Sequence, residues 1–278
     1  MNEEPITVDV LLDDAKVIGF PATERLIQDW ERRGLLAYRQ RRSLGYGKGQ
    51  TKGTWPPIQR QLWQMHIRNR PKVKRIATLA NLPVWFWLIL DVEGIPLDQV
   101  RRALKTWVGS EANVGKKQSI TAARAIVRQL AHPAIETSSR SVLADQDIAP
   151  ALHKRELPNQ QTLDNLAVLF DPAGTGRKLG SPDAPLSPEV WQTLTARRFR
   201  ALEYLPNLPD DHFTYARHVY RQTRSDFLAE QPRLRDQAEP ESKYLFPTET
   251  PSTMANTSCL DLISILGLTM PPEQSTTE

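Results

Sequence analysis

The chain has 278 residues, 40% of them hydrophobic and 24% charged, and 36 Lys plus Arg against 32 Asp plus Glu leave it a net charge of +4. That length predicts a small compact unit and a larger one rather than a single core, and the composition excludes fibrous and wholly disordered classes. The one cysteine, Cys259, excludes an intrachain disulfide and a cysteine-rich zinc site; it predicts a reducing compartment and a small core residue.

The first ten residues, Met1 to Val10, carry two glutamates and lack the basic head and apolar run of a secretory signal, so a cytoplasmic protein is expected. The longest uncharged run, Ile76 to Leu90, is shorter than the ~20 residues a bilayer span needs and contains Asn81 and Pro83. It predicts a buried or subunit-facing helix and no membrane partner. Charge is distributed unevenly: from Arg32 to Leu90 there are 13 Lys plus Arg and no Asp or Glu, which leaves −9 for the rest of the chain. Such a footprint suits nucleic acid, although a charge run is also what a solvated face looks like.

In chain order, the segment after Ile6 places Val10, Leu11, Ala15 and Ile18 at helical spacing and ends at Gly19 and Pro21, predicting a short helix and a turn. Thr23 then suits an N-cap for ERLIQDWERRGLL, where Leu26, Ile27 and Trp30 form an apolar stripe and Gly34 a stop. The opposite face offers Arg25, Gln28, Asp29 and Arg32, side chains that reach base edges or phosphates if the helix lies in a major groove. A solvated amphipathic helix is the other reading of the same pattern. Leu36 to Ser43 reads as a basic strand, Gly45 to Gly53 as a glycine-rich turn, and Thr54 and Trp55 as the returning strand. This hairpin is a candidate wing, carrying Arg39, Arg41, Arg42, Tyr46, Lys48 and Lys52. Pro56 opens the next helix, whose Ile58, Leu62, Trp63 and Met65 are expected to pack beneath the hairpin.

The run Trp30-Glu31-Arg32-Arg33-Gly34-Leu35-Leu36, followed by Gly45-Tyr46, resembles the MerR family of winged helix-turn-helix regulators over about residues 6 to 70. The resemblance implies that Thr23, Arg25 and Gln28 face double-stranded DNA from a recognition helix, with Arg41, Arg42 and Tyr46 on the backbone. Gln28 stands where the family commonly has arginine, and Gly47 where it has the arginine after Gly-Tyr, so those contacts are expected from Arg25 and Lys48. Such regulators usually continue into one long dimerisation helix; Pro71 and Pro83 interrupt that stretch here. A homo-oligomer, a dimer first, remains the expected assembly.

Further along, Lys72 to Ala80 and Val84 to Leu90 look helical, and LDQVRRALKTWV puts Leu97, Val100, Leu104 and Trp107 on one face. Ser119 is expected to cap a helix to Ala131, and residues 133–160 to form a loose connection with one short helix around Leu143 to His153. Thr162 is the expected cap of LDNLAVLF, and Asp171 to Pro185 reads as a loop. Ser187-Pro188-Glu189 starts a helix to about Tyr204, Asp210 or Asp211 one to about Glu230, and TSCLDLISILGL a last one before a polar, disordered tail. No run outside the hairpin alternates as a strand does. The expected fold is therefore mainly α: a winged helix-turn-helix with a small β-hairpin, then an all-α domain. The expected divisions are 1–71, 72–135 for oligomerisation, 136–160 as a connection, 161–256 and 257–278.

Chemistry has no evident address. The loop Ala173 to Gly180 lacks the Gly-Lys-Ser/Thr ending of a phosphate loop, His212 and His218 lie six apart rather than on one helix face, and His66, His132 and His153 sit in separate segments. No enzyme activity, metal or cofactor is expected. Trp85, Phe86 and Trp87 suit core or subunit packing, or a pocket for a small-molecule effector. Three functions fit this reading: a transcription regulator; an architectural DNA-binding accessory factor of a mobile element, excisionase-like or serving segregation or replication; and an adaptor whose helical region recruits a protein partner.

Overall fold

A computed structural model describes residues 6–40, 53–90, 94–112, 116–181, 184–237 and 251–271. Contacts divide the chain into two units: Met1–Ala112 with Glu249–Leu262, and Asn113–Thr248 with Ile263–Glu278. Both are mainly helical, and the sheet among the described residues is one two-stranded antiparallel pair.

In the first unit, the Thr7 hydroxyl accepts from the Val10 amide at 3.4 Å to start α1 (Val8–Ile18), and Gly19, at φ +76°, ends it. Thr23 repeats the device at α2 (Glu24–Arg32), accepting from the Leu26 amide at 3.2 Å. Beyond α2 the amides of Gly34 and Leu35 donate back to Glu31 and Trp30 at 3.1 and 2.9 Å, the paired closure in which the left-handed residue is normally glycine. The chain then pairs in two isolated antiparallel bridges, Gln40 with Thr54 and Ile6 with Trp55. The turn expected between them lies outside the described residues.

Helix α3 (Pro57–Asn69) begins on a proline, where a missing N–H costs no intrahelical bond. The expected helix over Lys72 to Ala80 is instead two 3-10 turns, Arg70–Lys72 and Ile76–Ala80. Pro71, which lacks an amide, sits in the first of them. Pro83, by contrast, interrupts nothing: it lies in the first turn of α4 (Asn81–Ile89), whose amides have no intrahelical acceptor. Next comes α5 (Leu97–Ala112). Leu11, Ile27, Trp30, Leu35, Leu36, Leu62, Trp63, Val100 and Leu104 are buried. Trp30 meets Trp63 edge-on at 4.9 Å and His66 at 5.4 Å, and the Trp63 indole donates to the Leu11 carbonyl at 2.7 Å. The unit runs past residue 71 to Ala112 because α5 packs on α3 and on the end of α2: Gln99 and Gln59, both buried, hydrogen-bond each other at 2.8 Å, Gln59 also accepts from the Ala37 amide at 2.9 Å, and the Thr106 hydroxyl donates to the Arg33 carbonyl at 2.9 Å. Cys259 is buried too, and its amide donates to Asn81 Oδ1 at 2.9 Å.

In the second unit, α6 (Lys116–Leu130) starts before Ser119, which is a buried residue inside the helix rather than its cap. The region expected as a loose connection is helical from Thr137 to Lys154: α7 (Thr137–Val142), a π-helical turn (Leu143–Ile148) and α8 (Ala149–Lys154). Leu143, Ala144, Ile148 and Ala149 enter a core with Ala123, Val127, Leu130, Leu166 and Phe170. Asn159, not Thr162, caps α9 (Gln160–Phe170), accepting from the Thr162 amide at 2.9 Å.

The expected loop over 171–185 contains β1 (Leu179–Ser181), paired antiparallel with β2 (Ala184–Leu186), so strand structure is not confined to the neighbourhood of the candidate wing. Three-residue strands are too short to show alternation. Ser187 caps α10 (Pro188–Tyr204), and α11 (Asp210–Gln237) and α12 (Pro251–Thr269) follow. No helix among the described residues is long and apolar enough to cross a membrane.

Two glycines share a left-handed backbone but not an environment. A Cβ on Gly34, at φ +73°, would overlap the Ala103 amide nitrogen and the Gln99 carbonyl oxygen, whereas one on Gly19 would meet nothing within 4 Å. Gly19→Ala is expected to cost about 1 kcal/mol in urea unfolding, and Gly34→Ala well above that, on the order of 3 kcal/mol or more. Equal losses would contradict the close packing of α5 on α2.

Candidate nucleic-acid interface

Helix α2 separates its residues sharply. Ile27, Trp30 and Glu31 are buried, while Thr23, Arg25, Gln28 and Arg32 are exposed on the other side. The Thr23 hydroxyl is engaged as the helix cap. Asp29 lies beside the exposed face and accepts from Arg33 Nε at 2.7 Å, with Arg32 4.0 Å away. The Arg32 side chain is nevertheless 66% exposed, so its charge is available to a partner. Arg25, Gln28 and Arg32 thus stand together on a helix whose other side is fixed in the core.

Arg39 is placed differently from the expectation that it belongs to a solvent-facing basic hairpin. Its side chain is only 9% exposed, and that of Glu31 only 7%. Arg39 Nη2 donates to Glu31 Oε2 at 3.1 Å, its Nε and its own amide donate to Glu31 Oε1 at 3.2 and 2.9 Å, and Nη1 donates to Glu24 at 3.0 Å. The guanidinium also lies 5.1 Å from the Trp55 ring centroid. Burial pulls its pKa down, but the hydrogen bonds it donates to Glu31 and Glu24 and their negative charges outweigh this and hold it above the ordinary arginine value. Arg39 is a structural cation joining α2 to the segment after it. Arg41, Arg42, Tyr46, Lys48 and Lys52, the other expected hairpin contacts, lie outside the described residues.

A second group of cations lies beyond α2. An open cleft brings together Arg33, Arg75 and Lys105, with Thr106, whose hydroxyl donates to the Arg33 carbonyl at 2.9 Å. Arg68, Lys72, Lys74 and Arg75 are all exposed. Five of these six cations, Arg33, Arg68, Lys72, Lys74 and Arg75, belong to the acid-free stretch from Arg32 to Leu90, which was the available signal; Lys105 does not, and only the packing of α5 brings it near. Several arginines of the unit are paired: Arg33 with Asp29, Arg60 with Asp14 at 2.7 Å, holding the Asp14 carboxyl below its usual range, and Arg102 with Asp98 at 3.0 Å.

Beneath this face of the unit, His66 is fully buried, and its Nε2 donates to the Leu35 carbonyl at 3.0 Å. Burial pushes its pKa down to about 4, against the smaller raising effect of that hydrogen bond. In the second unit, the loop after α9 presents no open amide cradle. Asp171 accepts from the amides of Thr175, Gly176 and Arg177 at 3.0, 2.7 and 3.1 Å, and these bonds, the Thr175 amide first, lower its pKa to about 2. His212 hydrogen-bonds the Leu266 carbonyl at 3.2 Å.

Comparison with protein-family models, with curated proteins and with solved structures found no match for this chain.

Removing Arg39 leaves Glu31 buried without its counter-ion. Arg39→Ala is therefore expected to lower unfolding stability by about 3 to 5 kcal/mol, whereas Arg25→Ala, at an exposed position, stays within about 0.5 kcal/mol. Denaturant midpoints of the two variants separate these roles.

His66 sets a pH dependence. Its folded pKa of about 4 is below the ordinary 6.5, so the unfolded chain takes up the proton first. Its contribution is full above pH 6.5 and is lost as pH falls toward 4, with a slope of up to about 1.4 kcal/mol per pH unit. Urea unfolding between pH 6.5 and 5 is expected to show a shallower slope in His66→Phe than in the natural chain.

Proposed function

We propose that this protein binds double-stranded DNA sequence-specifically as a transcription regulator of the MerR-like winged helix-turn-helix kind. In this reading α1 and α2 are the helix-turn-helix, α2 lies in the major groove, and the stretch between Gln40 and Gly53 forms the wing. One observation carries it: the exposed triad Arg25, Gln28 and Arg32 stands on a helix anchored from behind by Ile27, Trp30 and Glu31, next to an acid-free stretch of 13 cations.

Each part follows from what duplex recognition requires. Base edges in the major groove are read by arginine forks and by amides such as glutamine, and those side chains must be held in register by a rigid element. Phosphates are met by Lys and Arg without regard to sequence. Arg33, Arg75 and Lys105 in their common cleft, and Arg41, Arg42, Lys48 and Lys52 in the wing, have that role here. Tyr46 and Thr23 add hydroxyl contacts to the backbone.

Fluorescence anisotropy with the full chain tests the assignment, using one duplex recovered by selection from a random library and its scrambled counterpart. Arg25→Ala is expected to weaken binding to the selected duplex by about 1 to 3 kcal/mol and to affect the scrambled one much less, while Lys48→Ala weakens both alike. Equal losses on both duplexes for both variants, or no duplex binding by the natural chain, would overturn it.

A further inference from the structure

Positive charge is also concentrated in the second unit, apart from α2 and its neighbours. An open cleft of about 550 Å³ is lined by Arg124, Arg128, Arg140, Thr121, Thr137 and Ser141. Arg124 and Arg128 are one turn apart on α6 and so share a face, and Arg140 and Ser141 come from α7. Among the described residues no acidic side chain lines the cleft itself, and Asp145 pairs with Arg124 at its edge.

The arginines are held in place by the fold. Asp145 accepts from Arg124 Nε at 2.8 Å and from Nη2 at 2.5 Å, which leaves Nη1 without an acceptor among the described residues. Arg140 Nη2 donates to the carbonyls of His132 and Pro133 at 2.9 and 2.6 Å, fixing the guanidinium, while its Nε is enclosed and has no acceptor among the described residues. Arg128 is exposed and makes no hydrogen bond or ion pair among the described residues. The Thr121 hydroxyl is already donated to the Lys117 carbonyl at 3.0 Å. Those of Thr137 and Ser141 have no partner among the described residues.

We propose that this cleft binds a phosphate group. One arginine fork satisfies a carboxylate; three guanidinium groups with two free hydroxyls converging on one open space match the several oxygens of a phosphate. Immobilising Arg124 and Arg140 through Asp145 and two carbonyls lowers the ordering cost of binding, and Arg128 closes on the anion from the adjacent turn. The phosphate belongs either to a nucleic-acid backbone or to a free phosphorylated small molecule. The site does not depend on the DNA reading of the first unit.

Two probes on the full chain separate these sources: pyrophosphate by titration calorimetry at low salt, and a random-sequence duplex by anisotropy across a salt series. Arg128 is the residue to remove, because its exposed side chain supports nothing in the fold; Arg128→Ala is expected to weaken binding of the relevant probe about tenfold. Ser141→Ala is expected to weaken it by less. Lys154→Ala, which removes the same charge elsewhere in the unit, leaves it unchanged. Arg128-dependent pyrophosphate binding supports the site with a free phosphorylated ligand. An Arg128-dependent loss of duplex affinity with a reduced salt slope supports it with a nucleic-acid backbone. If the natural chain binds neither probe, or if Arg128→Ala and Lys154→Ala bind each probe as the natural chain does or weaken it equally, the proposal is overturned. Retained pyrophosphate binding in a chain that binds no duplex would overturn the DNA reading and leave this site standing.

Discussion

A carboxylate buried at the end of a helix has to be neutralised, and in the first unit that requirement falls on Glu31. Its partner Arg39 comes from the chain segment that follows α2, so neutralising Glu31 also fixes where that segment leaves the helix. Trp55 on the returning segment stacks near the same guanidinium and donates its indole N–H to the Ala37 carbonyl at 2.8 Å. A buried ion pair contributes little net stability, because desolvation offsets most of its attraction. Its effect is geometric. With Glu31 and Arg39 paired, α2 is held with its Trp30 against Trp63 and His66 of α3. The exposed face of α2 inherits that orientation, which is what a helix that reads a surface needs.

Much of the fold could be read from the sequence where the signals were local. Thr23 and Gly34 delimit α2, Ser187-Pro188-Glu189 opens α10, and Asp210 opens α11, because caps and prolines act within one helical turn. Local signals failed where packing decides. The helical run from Thr137 to Lys154 is rich in Ser and carries Pro150, yet Leu143, Ala144 and Ile148 find a core in α6 and α9, and that burial outweighs weak propensity. Ser119 has the right side chain for a cap but is buried mid-helix. Pro83 looked like a break and proved harmless because of its position in the first turn of α4.

The candidate interface was legible to the same degree. Helical spacing alone separates Arg25, Gln28 and Arg32 from Ile27 and Trp30, so the exposed face could be listed in advance. Arg39 could not be separated from its basic neighbours, since a pairing eight residues away with Glu31 leaves no periodic trace. The cleft of Arg33, Arg75 and Lys105 depends on α5 crossing the end of α2, a long-range contact that no window of sequence contains. The same holds for the arginine cleft of the second unit, where α6 and α7 supply residues that only the tertiary packing brings together.

The central claim is that the exposed face of α2 meets base edges in a major groove. Methylation interference on the selected duplex tests it most directly, because guanine N7 methylation blocks the major-groove edge and adenine N3 methylation the minor-groove edge. The expected result is loss of binding at a short cluster of guanine N7 positions, with Arg25→Ala removing the interference at one of them. Binding that is insensitive to guanine N7 methylation throughout, or is blocked only by adenine N3 methylation, would contradict the account.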